Sequence, residues 1–483
     1  MLRNKNILNT IWNLADIFLY PLLFFISASL FIRILGQSQF GIWMLVNTIM
    51  VSMQLFNLGV GSMVLKNVAL YIGISDTKGK ISVLNNAFSL TLLLFIVCLL
   101  IGLIGFYLIY YRQLFSIHTE YKLLCAKCFF LASIIVGIKF FEQIFTNYFK
   151  ALEDYKTAAA LGSGNRLLGL GLNILLLTLF KFDIFHLLLV IIVVNSLFLF
   201  LGWRFMKNKL QSFKFRFNLK IPKHETSFAL LTWIQSVVII LTFQSDRYLI
   251  VTNFGLIVLG YYALTATMFN HIHMGLNAIV PWLSPKFTKL YVQKRDSKEL
   301  YRAADSIITI LSTIALLFLY IIYPCVFRML LGVETTHAIY DYTQYYIAFE
   351  SFFILTIVPA YYFNSVGHEK TYLYFILFFS IITLINMFVC IGIFHKPIAV
   401  LYGMIISCAC SMFVLRLLTS RLFSGNYQVL HSFIQVLPSV LFTIFILSPT
   451  ILLKAIFLIA ILYVLYYTHL KGNSDRFLLL VHS

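Results

Sequence analysis

Nine polar or ionisable residues stand inside long apolar stretches of the sequence, where a charge is costly to hold. Charges embedded in a membrane usually face a cavity or a partner, so these residues are candidates for contact with a polar substrate or a coupling ion. The candidates for a substrate cavity are Lys139, Gln235, Asp246, Arg247, His271 and His273, and those for ion coupling are Asp16, Glu142 and Glu350.

The polar residues of one apolar stretch follow a helical spacing. Gln235, Thr242 and Asp246 are separated by seven and four positions, which puts them on one stripe of a helix, as expected of a cavity wall. Arg247 lies about 100° round the helix from this stripe. The alternative is that Asp246 and Arg247 satisfy neighbouring groups, or that Arg247 reaches the outer interface.

The remaining candidates support more than one interpretation. Lys139 and Glu142 are three residues apart on one helix face, so they can form an internal ion pair or contact a substrate. His271 and His273 are two residues apart, so they point to different faces and make a poor metal site. Asp16 is either a proton or cation site or a group in contact with water at the inner leaflet. No metal site is predicted.

Catalytic motifs are missing from the sequence. It contains no G-x-x-x-x-G-K-[S/T] phosphate loop, no H-E-x-x-H and no G-x-S-x-G. Cys125 and Cys128 have no second cysteine pair, and we interpret them as packed neighbours on one helix. The sequence therefore predicts neither an enzyme nor a bound cofactor, although coupling to a proton or sodium gradient stays open.

The composition is that of a membrane protein with many spans. Of 483 residues, 61% are hydrophobic and only 11% are charged, which lies outside the range of soluble domains. A helix needs roughly 20 apolar residues to cross the hydrocarbon core. The sequence predicts an all-α integral membrane fold with about fourteen transmembrane helices, at residues 9–34, 40–64, 85–110, 124–149, 158–180, 184–206, 227–253, 257–282, 306–330, 343–366, 371–394, 398–421, 431–449 and 451–470.

Lysine and arginine are distributed unevenly between the two sides of these spans. With the N-terminus inside, the inner segments hold 26 of the 36 basic residues and the outer segments hold 8. Positive residues concentrate on the cytoplasmic side, so both termini are predicted to be cytoplasmic. The net charge of +19 is then explained by topology on an anionic leaflet, and no nucleic-acid partner is predicted.

One glycine motif occurs twice. Residues 34–43 and 253–262 share the order glycine, three residues, apolar residue, glycine, one residue, aromatic residue, and each is predicted to form a tight outer turn between two spans. Their glycines are 219 residues apart. Tyr71 and Tyr291, each followed at the same spacing by Asp, Ser or Thr, and Lys, are 220 residues apart. Two landmarks in near register indicate an internal duplication.

The duplication predicts the domain organisation. Six spans per copy is an even number, so two six-helix lobes are related by a parallel repeat about an axis along the membrane normal. The predicted parts are an N-lobe at 1–205, a basic cytoplasmic linker at 206–226, a C-lobe at 227–423 and an appendage of two helices at 424–483.

Three segments of this sequence resemble a known family. They are Ile11-Trp12-Asn13-Leu14, the run from Arg33 to Trp43, and Leu58-Gly59-Val60-Gly61. The resemblance is to bacterial polysaccharide biosynthesis proteins of the O-antigen flippase type, in the superfamily of multidrug, oligosaccharidyl-lipid and polysaccharide exporters. It covers the whole chain in architecture, and its motifs lie mainly in residues 1–80 and 253–298.

The resemblance implies a function. It implies a flippase that moves an oligosaccharide repeat unit linked to undecaprenyl diphosphate from the cytoplasmic to the periplasmic leaflet of the bacterial inner membrane by alternating access. The product would be O-antigen or another surface polysaccharide, with polymerase and chain-length proteins of the same pathway as further partners. Such proteins are thought to use an ion gradient.

Other functions are weighed against this one. An ion-coupled drug exporter or other lipid exporter of the same superfamily is the main alternative. Lipid II flippases carry several arginines in their first two helices, whereas only Arg33 is found in these helices here. A membrane glycan polymerase would be an enzyme with a large outer loop, and the outer loops around 111–123 and 331–342 are short.

Overall fold

The computed structural model describes residues 2–467, apart from residues 58, 74, 113–114, 116, 153, 212, 220–222, 278–279, 281–282 and 427. Side chains are described from Phe24 onwards, with short interruptions, so the candidate ion site at Asp16 lies outside the described residues.

Over these residues the chain folds into fifteen α-helices and no strand. The first seven are α1 (Leu2–Met53), α2 (Val60–Gly73), α3 (Thr77–Arg112), α4 (Thr119–Ala151), α5 (Tyr155–Phe180), α6 (Ile184–Lys209) and α7 (Lys223–Asn277). The others are α8 (Leu283–Val292), α9 (Lys298–Leu331), α10 (Val333–Phe353), α11 (Ile357–Ser365), α12 (Glu369–Phe394), α13 (Ala399–Ser424), α14 (Val429–Leu447) and α15 (Ile451–Leu465). One-turn 3₁₀ helices follow α1 and α10.

The helices account for the predicted spans. Ten helices in the described part of the chain are long and apolar enough to cross a membrane. Two of them, α1 and α7, each combine two predicted spans, and the shorter apolar helices α14 and α15 supply the last two. Inside a bilayer the backbone can satisfy its hydrogen bonds only in helices or closed barrels, and these apolar runs form helices. The predicted all-α membrane fold is confirmed.

The outer faces of the helices are apolar as well as the interior. Large side chains such as Ile321 on α9, Tyr374 on α12 and Ile451 on α15 are exposed by 72%, 69% and 87%. Patches of this kind are rare on soluble proteins, whereas hydrocarbon solvates them without cost. The lipid bilayer is therefore the expected surroundings of these faces.

Single glycines form the turns inside α1 and α7. Gly36 has φ 80° and ψ 169°, and Gly255 has φ 84° and ψ −176°. A positive φ suits glycine because it has no Cβ. Each glycine is the first of its motif, and each separates two predicted spans. The predicted turns are confirmed, and each is reduced to one non-helical residue.

The duplication is visible in backbone hydrogen bonds. The N–H of Ser75 donates to the carbonyl of Ile72 at 3.1 Å, and that of Lys294 donates to Tyr291 at 3.0 Å. Ser75 and Lys294 both have positive φ, at 57° and 53°. These pairs keep the 219-residue offset of the glycines. In this turn Tyr291 therefore corresponds to Ile72, so aligning it with Tyr71 was wrong by one residue.

The helices form two compact units, residues 1–263 and 264–483, and the boundary falls within α7. The predicted lobe boundary at 206–226 lies elsewhere, and the assignment of lobes stays a prediction. In the first unit a segment of the linker, residues 213–219, lies along α3, and we call it the linker segment. The N–H of Arg216 donates to Asn85 Oδ1 at 3.0 Å, and that of Asn218 donates to Ser89 Oγ at 2.8 Å.

The two glycine motifs pack directly against each other within the first unit. A Cβ added to Gly41 would lie 2.2 Å from the carbonyl oxygen of Leu256. A Cβ on Gly260 would lie 3.2 Å from Phe40 Cδ1 and 3.4 Å from Gly41 Cα. The second glycine of each motif is therefore required by close approach of the chain, and its conformation is helical.

We predict that Gly41→Ala destabilises the protein, because the added methyl group must displace the backbone at Leu256. Overpacking of this kind costs about 1–3 kcal/mol. The measurement is the melting temperature in detergent. The matched control is Gly171→Ala on α5, where a Cβ meets nothing within 4 Å and the change should be neutral or stabilising. Equal melting temperatures for the two variants would contradict the close contact.

Candidate functional site

A hydrogen-bonded network joins three helices of the first unit. Asn165 on α5 donates from Nδ2 to Glu142 Oε2 on α4 at 2.7 Å and to Asn195 Oδ1 on α6 at 2.6 Å. Asn165 and Asn195 are buried. Because each amide stands in an apolar helix, its hydrogen bonds fix how the three helices pack. The sequence candidates omit both asparagines, although an isolated amide in an apolar helix was a readable signal.

Two positive charges surround Glu142. Lys139, on the same face of α4, and Arg166, next to Asn165 on α5, both act electrostatically on its carboxylate. Lys139 and Glu142 are half-buried. The cluster of Lys139, Glu142 and Arg166 therefore brings two basic side chains to one carboxylate, and basic side chains are the groups that bind anions. The candidates drawn from the sequence include Lys139 and Glu142 and omit Arg166.

The polar face of α4 continues beyond this cluster. Gln143 Oε1 lies 3.5 Å from Asn57 Nδ2, and a Cβ on Gly61 would lie 2.6 Å from Asn147 Nδ2. Lys139, Glu142, Gln143 and Asn147 follow the three- and four-residue spacing of one helix face. We call these four residues the α4 polar face. It offers amide and ammonium donors, which are the groups that bind phosphate and sugar oxygens.

The candidates on α7 are held by neighbours in the first unit. Asp246 is 2% exposed and its Oδ2 accepts a hydrogen bond from Tyr262 OH at 2.8 Å. Arg247 is also buried, and its Nη1 donates to Gln244 Oε1 at 3.0 Å. Asp246 and Tyr262 stand on opposite sides of the turn at Gly255, so their bond ties its two arms together. That Asp246 or Arg247 faces a cavity stays a prediction.

The other member of the α7 stripe is less enclosed. Gln235 is half-buried, and Thr242 is buried with its hydroxyl donating to the carbonyl of Val238 at 2.7 Å within the helix. The hydroxyl of Thr242 therefore has a hydrogen-bond partner in its own helix. That Gln235 contacts the substrate stays a prediction.

A histidine and a glutamate form a pair in the second unit, where Glu350 is buried and His273 is half-buried. His273 Nδ1 on α7 lies 2.7 Å from Glu350 Oε1 on α10. The ring of Phe353 covers the imidazole at 4.4 Å between ring centres. His271 is half-buried on a different face, as its spacing predicts. Sequence spacing placed His273 and Glu350 in separate groups of candidates, and the structure brings them together. An imidazole beside a carboxylate can take up and release a proton.

The described residues contain no cluster of three or more His, Cys, Asp and Glu side chains. Cys125 and Cys128 are both buried on α4. Burial beside one another on one helix is the packing expected from their three-residue spacing.

Comparison with known families gives one match. A family described as polysaccharide biosynthesis protein matches residues 7–291, which is more than half of the chain. Comparison with curated protein sequences finds no match.

Several solved structures share the fold. The lipid II flippase MurJ in an inward closed conformation has a TM-score of 0.67 at 14% identity, covering 97% of this chain and 99% of that one. An inward-facing multidrug resistance MATE family transporter of the MOP superfamily has a TM-score of 0.63 at 15% identity, covering 85% and 98%. A MOP superfamily transporter from Pyrococcus furiosus has a TM-score of 0.55 at 14% identity, covering 86% and 94%. The chain has the fold of these transporters.

We predict that Tyr262→Phe destabilises the first unit, because it leaves a buried oxygen of Asp246 without its hydrogen bond from the phenol. Such a loss costs about 1–3 kcal/mol. The melting temperature in detergent measures it, with Tyr463→Phe as the control because Tyr463 is 68% exposed on α15. If the two variants melt together, the bond between Asp246 and Tyr262 does not stabilise the turn.

Proposed function

We propose that this chain, which belongs to the polysaccharide biosynthesis protein family, is a flippase that moves a lipid-linked glycan across the membrane. The observation that carries the proposal is the α4 polar face with Arg166, a cationic and amide-rich surface among apolar helices. Fold similarity to a lipid II flippase and to multidrug transporters supports transport and leaves the substrate open.

The chemistry of the substrate follows from the barrier that it must cross. A headgroup with a diphosphate and several sugars is far too polar to enter hydrocarbon unaided. Lys139 and Arg166 offer charged donors for phosphate oxygens, and Gln143 and Asn147 offer amides for sugar hydroxyls. The apolar tail forms no hydrogen bonds that the protein would have to replace, so it can stay in the bilayer. The network through Asn165 holds the charged groups in position before the substrate arrives.

The finer assignment is part of the same proposal. The substrate is an oligosaccharide repeat unit on undecaprenyl diphosphate, which passes from the cytoplasmic to the periplasmic leaflet of a bacterial inner membrane by alternating access. Both termini are cytoplasmic, as the distribution of basic residues predicts. The glycan then enters O-antigen or another surface polysaccharide, where polymerase and chain-length proteins of the same pathway are the partners.

We also propose that the pair of His273 and Glu350 couples transport to a proton gradient. Glu350 is buried and His273 is half-buried. The charge of Glu350 acts on Cys408 of α13 as well as on His273. A proton taken up by the pair changes its net charge, and a buried charge change alters helix packing strongly. A sodium gradient is the alternative driving force.

Substituting Lys139 tests the substrate assignment. We predict that Lys139→Ala or Arg166→Ala lowers transport roughly ten- to a hundredfold, because a charged hydrogen bond to the diphosphate is worth about 1.5–3 kcal/mol. Lys139→Arg should retain more activity than Lys139→Ala. The assay is complementation of a host that lacks the gene, measuring surface glycan and accumulated single repeat units on the lipid carrier.

The matched control is Lys127→Ala, which removes an exposed lysine from the same helix. It should complement fully. If the deletion leaves surface glycan unchanged and instead alters sensitivity to cationic compounds, the protein is an exporter of drugs or other lipids, and the flippase proposal fails.

Substituting Glu350 tests the coupling. We predict that Glu350→Gln keeps the hydrogen bond to His273 but abolishes the stimulation of transport by an imposed proton gradient, because an amide cannot exchange the proton. The measurement is translocation in proteoliposomes with and without a pH gradient at constant sodium. Stimulation of the variant to the level of the wild type would show that the proton moves elsewhere.

A further inference from the structure

A polar cleft lies in the second unit where the beginning of α9, the end of α13 and the beginning of α14 approach one another. Residues of all three helices line it. The polar side chains that line it are Lys298 and Arg302 of α9, Thr419 and Ser420 of α13, and Gln428 and Gln435 beside and on α14. None of these residues belongs to the sites already described, and all lie on the predicted cytoplasmic side.

The cleft is positively charged. Lys298 and Arg302 are four residues apart and share one face of α9. Both side chains are half-buried, and among the described residues neither forms an ion pair with a carboxylate. Gln428 immediately precedes α14, and its N–H donates to Ser420 Oγ at 3.1 Å. The walls therefore combine two cations with hydroxyl and amide groups.

A buried arginine lies behind one wall. Arg416 is 1% exposed, and its Nη1 donates to Asp305 Oδ2 at 2.7 Å and to the OH of Tyr301 at 3.2 Å. Tyr301 itself lines the cleft. Within the described part of the chain, Nε and Nη2 of Arg416 have no hydrogen-bond partner. The bond from Arg416 to Tyr301 holds one wall of the cleft in place.

The internal repeat shows why the cleft is open. In the repeat, α9 and α13 correspond to α3 and α6 of the first unit. There the linker segment fills the groove beside α3. Its N–H groups donate to Asn85 and Ser89, and its Phe213 packs against Phe88 and Trp203. After α13 the chain turns at Gly425, with φ 74°, and enters α14 within four residues. Only residues 425–428 separate α13 from α14, and residue 427 is not described; four residues are too few to form a segment as long as residues 213–219.

The two grooves also differ in hydrogen-bonding character. The first presents acceptors, Asn85 Oδ1 and Ser89 Oγ, and backbone donors fill it. The second presents the donors of Lys298 and Arg302, so a complementary ligand is anionic and rich in oxygen. Phosphate meets both requirements, because arginine binds two of its oxygens at once.

The surroundings of the cleft favour a lipid over a soluble phosphate. Val429, Leu430 and Phe433 at the beginning of α14 are exposed by half or more. These apolar side chains stand beside Gln428, where acyl chains attached to a bound phosphate would lie. Basic pockets between membrane helices on the cytoplasmic side bind the headgroups of anionic lipids.

We infer that this cleft binds the phosphate of an anionic phospholipid of the cytoplasmic leaflet, with Lys298 and Arg302 as its cationic contacts. The bound lipid connects α14 with α9 and α13, in the way that the linker segment connects α3 with α6. This site is separate from the α4 polar face, so its occupancy does not rest on the flippase proposal.

The test uses the full chain purified in detergent. Native mass spectrometry measures the bound fraction of phosphatidylglycerol, and the melting temperature is followed as phosphatidylglycerol, phosphatidylcholine or inorganic phosphate is added. We expect binding and a raised melting temperature with phosphatidylglycerol only. The double variant Lys298→Gln, Arg302→Gln should lower the bound fraction about tenfold or more, since two charged hydrogen bonds are lost.

The matched control is Lys207→Gln, Lys209→Gln at the end of α6, which removes two basic residues from the same predicted side of the membrane. It should bind phosphatidylglycerol as the wild type does. An equal loss in both double variants, or equal binding of phosphatidylcholine, would reduce the effect to general surface charge and overturn the site. Stabilisation by inorganic phosphate equal to that by the lipid would overturn the lipid as its ligand. Elution volume on size exclusion confirms that both variants fold.

Discussion

A polar side chain in an apolar helix bundle has no water to bind, so its partners must come from the chain itself or from a ligand. This constraint accounts for most of the specific contacts in the structure. Asp246 binds Tyr262, Asn165 joins Glu142 to Asn195, His273 pairs with Glu350, and Arg416 pairs with Asp305. The bonds of Asn165, His273 and Arg416 each join different helices. The bond from Tyr262 to Asp246 joins the two arms of α7. The helix arrangement depends on a small number of polar contacts.

The same constraint separates structural from functional candidates. Asp246 has a partner on the other arm of its own turn, so the structure accounts for it without a substrate. Lys139 and Arg166 both act on the carboxylate of Glu142, so this cluster combines two basic side chains with an acidic one. His273 and Glu350 place an imidazole beside a carboxylate. The bond of Asp246 anchors a turn, whereas the other two sites combine groups of the kind that bind an anion or exchange a proton.

The sequence predicted the elements better than the contacts between them. Apolar runs of sufficient length determine helices in a membrane, and a glycine between two such runs is a candidate turn, so the spans and both turns were predictable. The partner of a buried charge is not a local property. Glu350 lies 77 residues from His273, and Arg416 lies 111 residues from Asp305. The candidates drawn from the sequence omit Arg416, because a basic residue near a helix end looks the same in sequence whether it faces water or a carboxylate. Tyr71 and Tyr291 were aligned by residue type, although the turn is defined by the backbone.

The contact between the two glycine motifs has an evolutionary consequence. Gly41 and Gly260 are equivalent residues of the two motifs, and they meet each other. Before the gene duplicated, this contact would have joined two copies of a shorter chain, and one substitution would have changed both sides of it together. In the fused chain each side mutates alone. The segments between the glycines have already diverged, from the polar Gln37-Ser38-Gln39 to the apolar Leu256-Ile257-Val258. Fusion thus allowed the two halves to specialise around a contact that both still need.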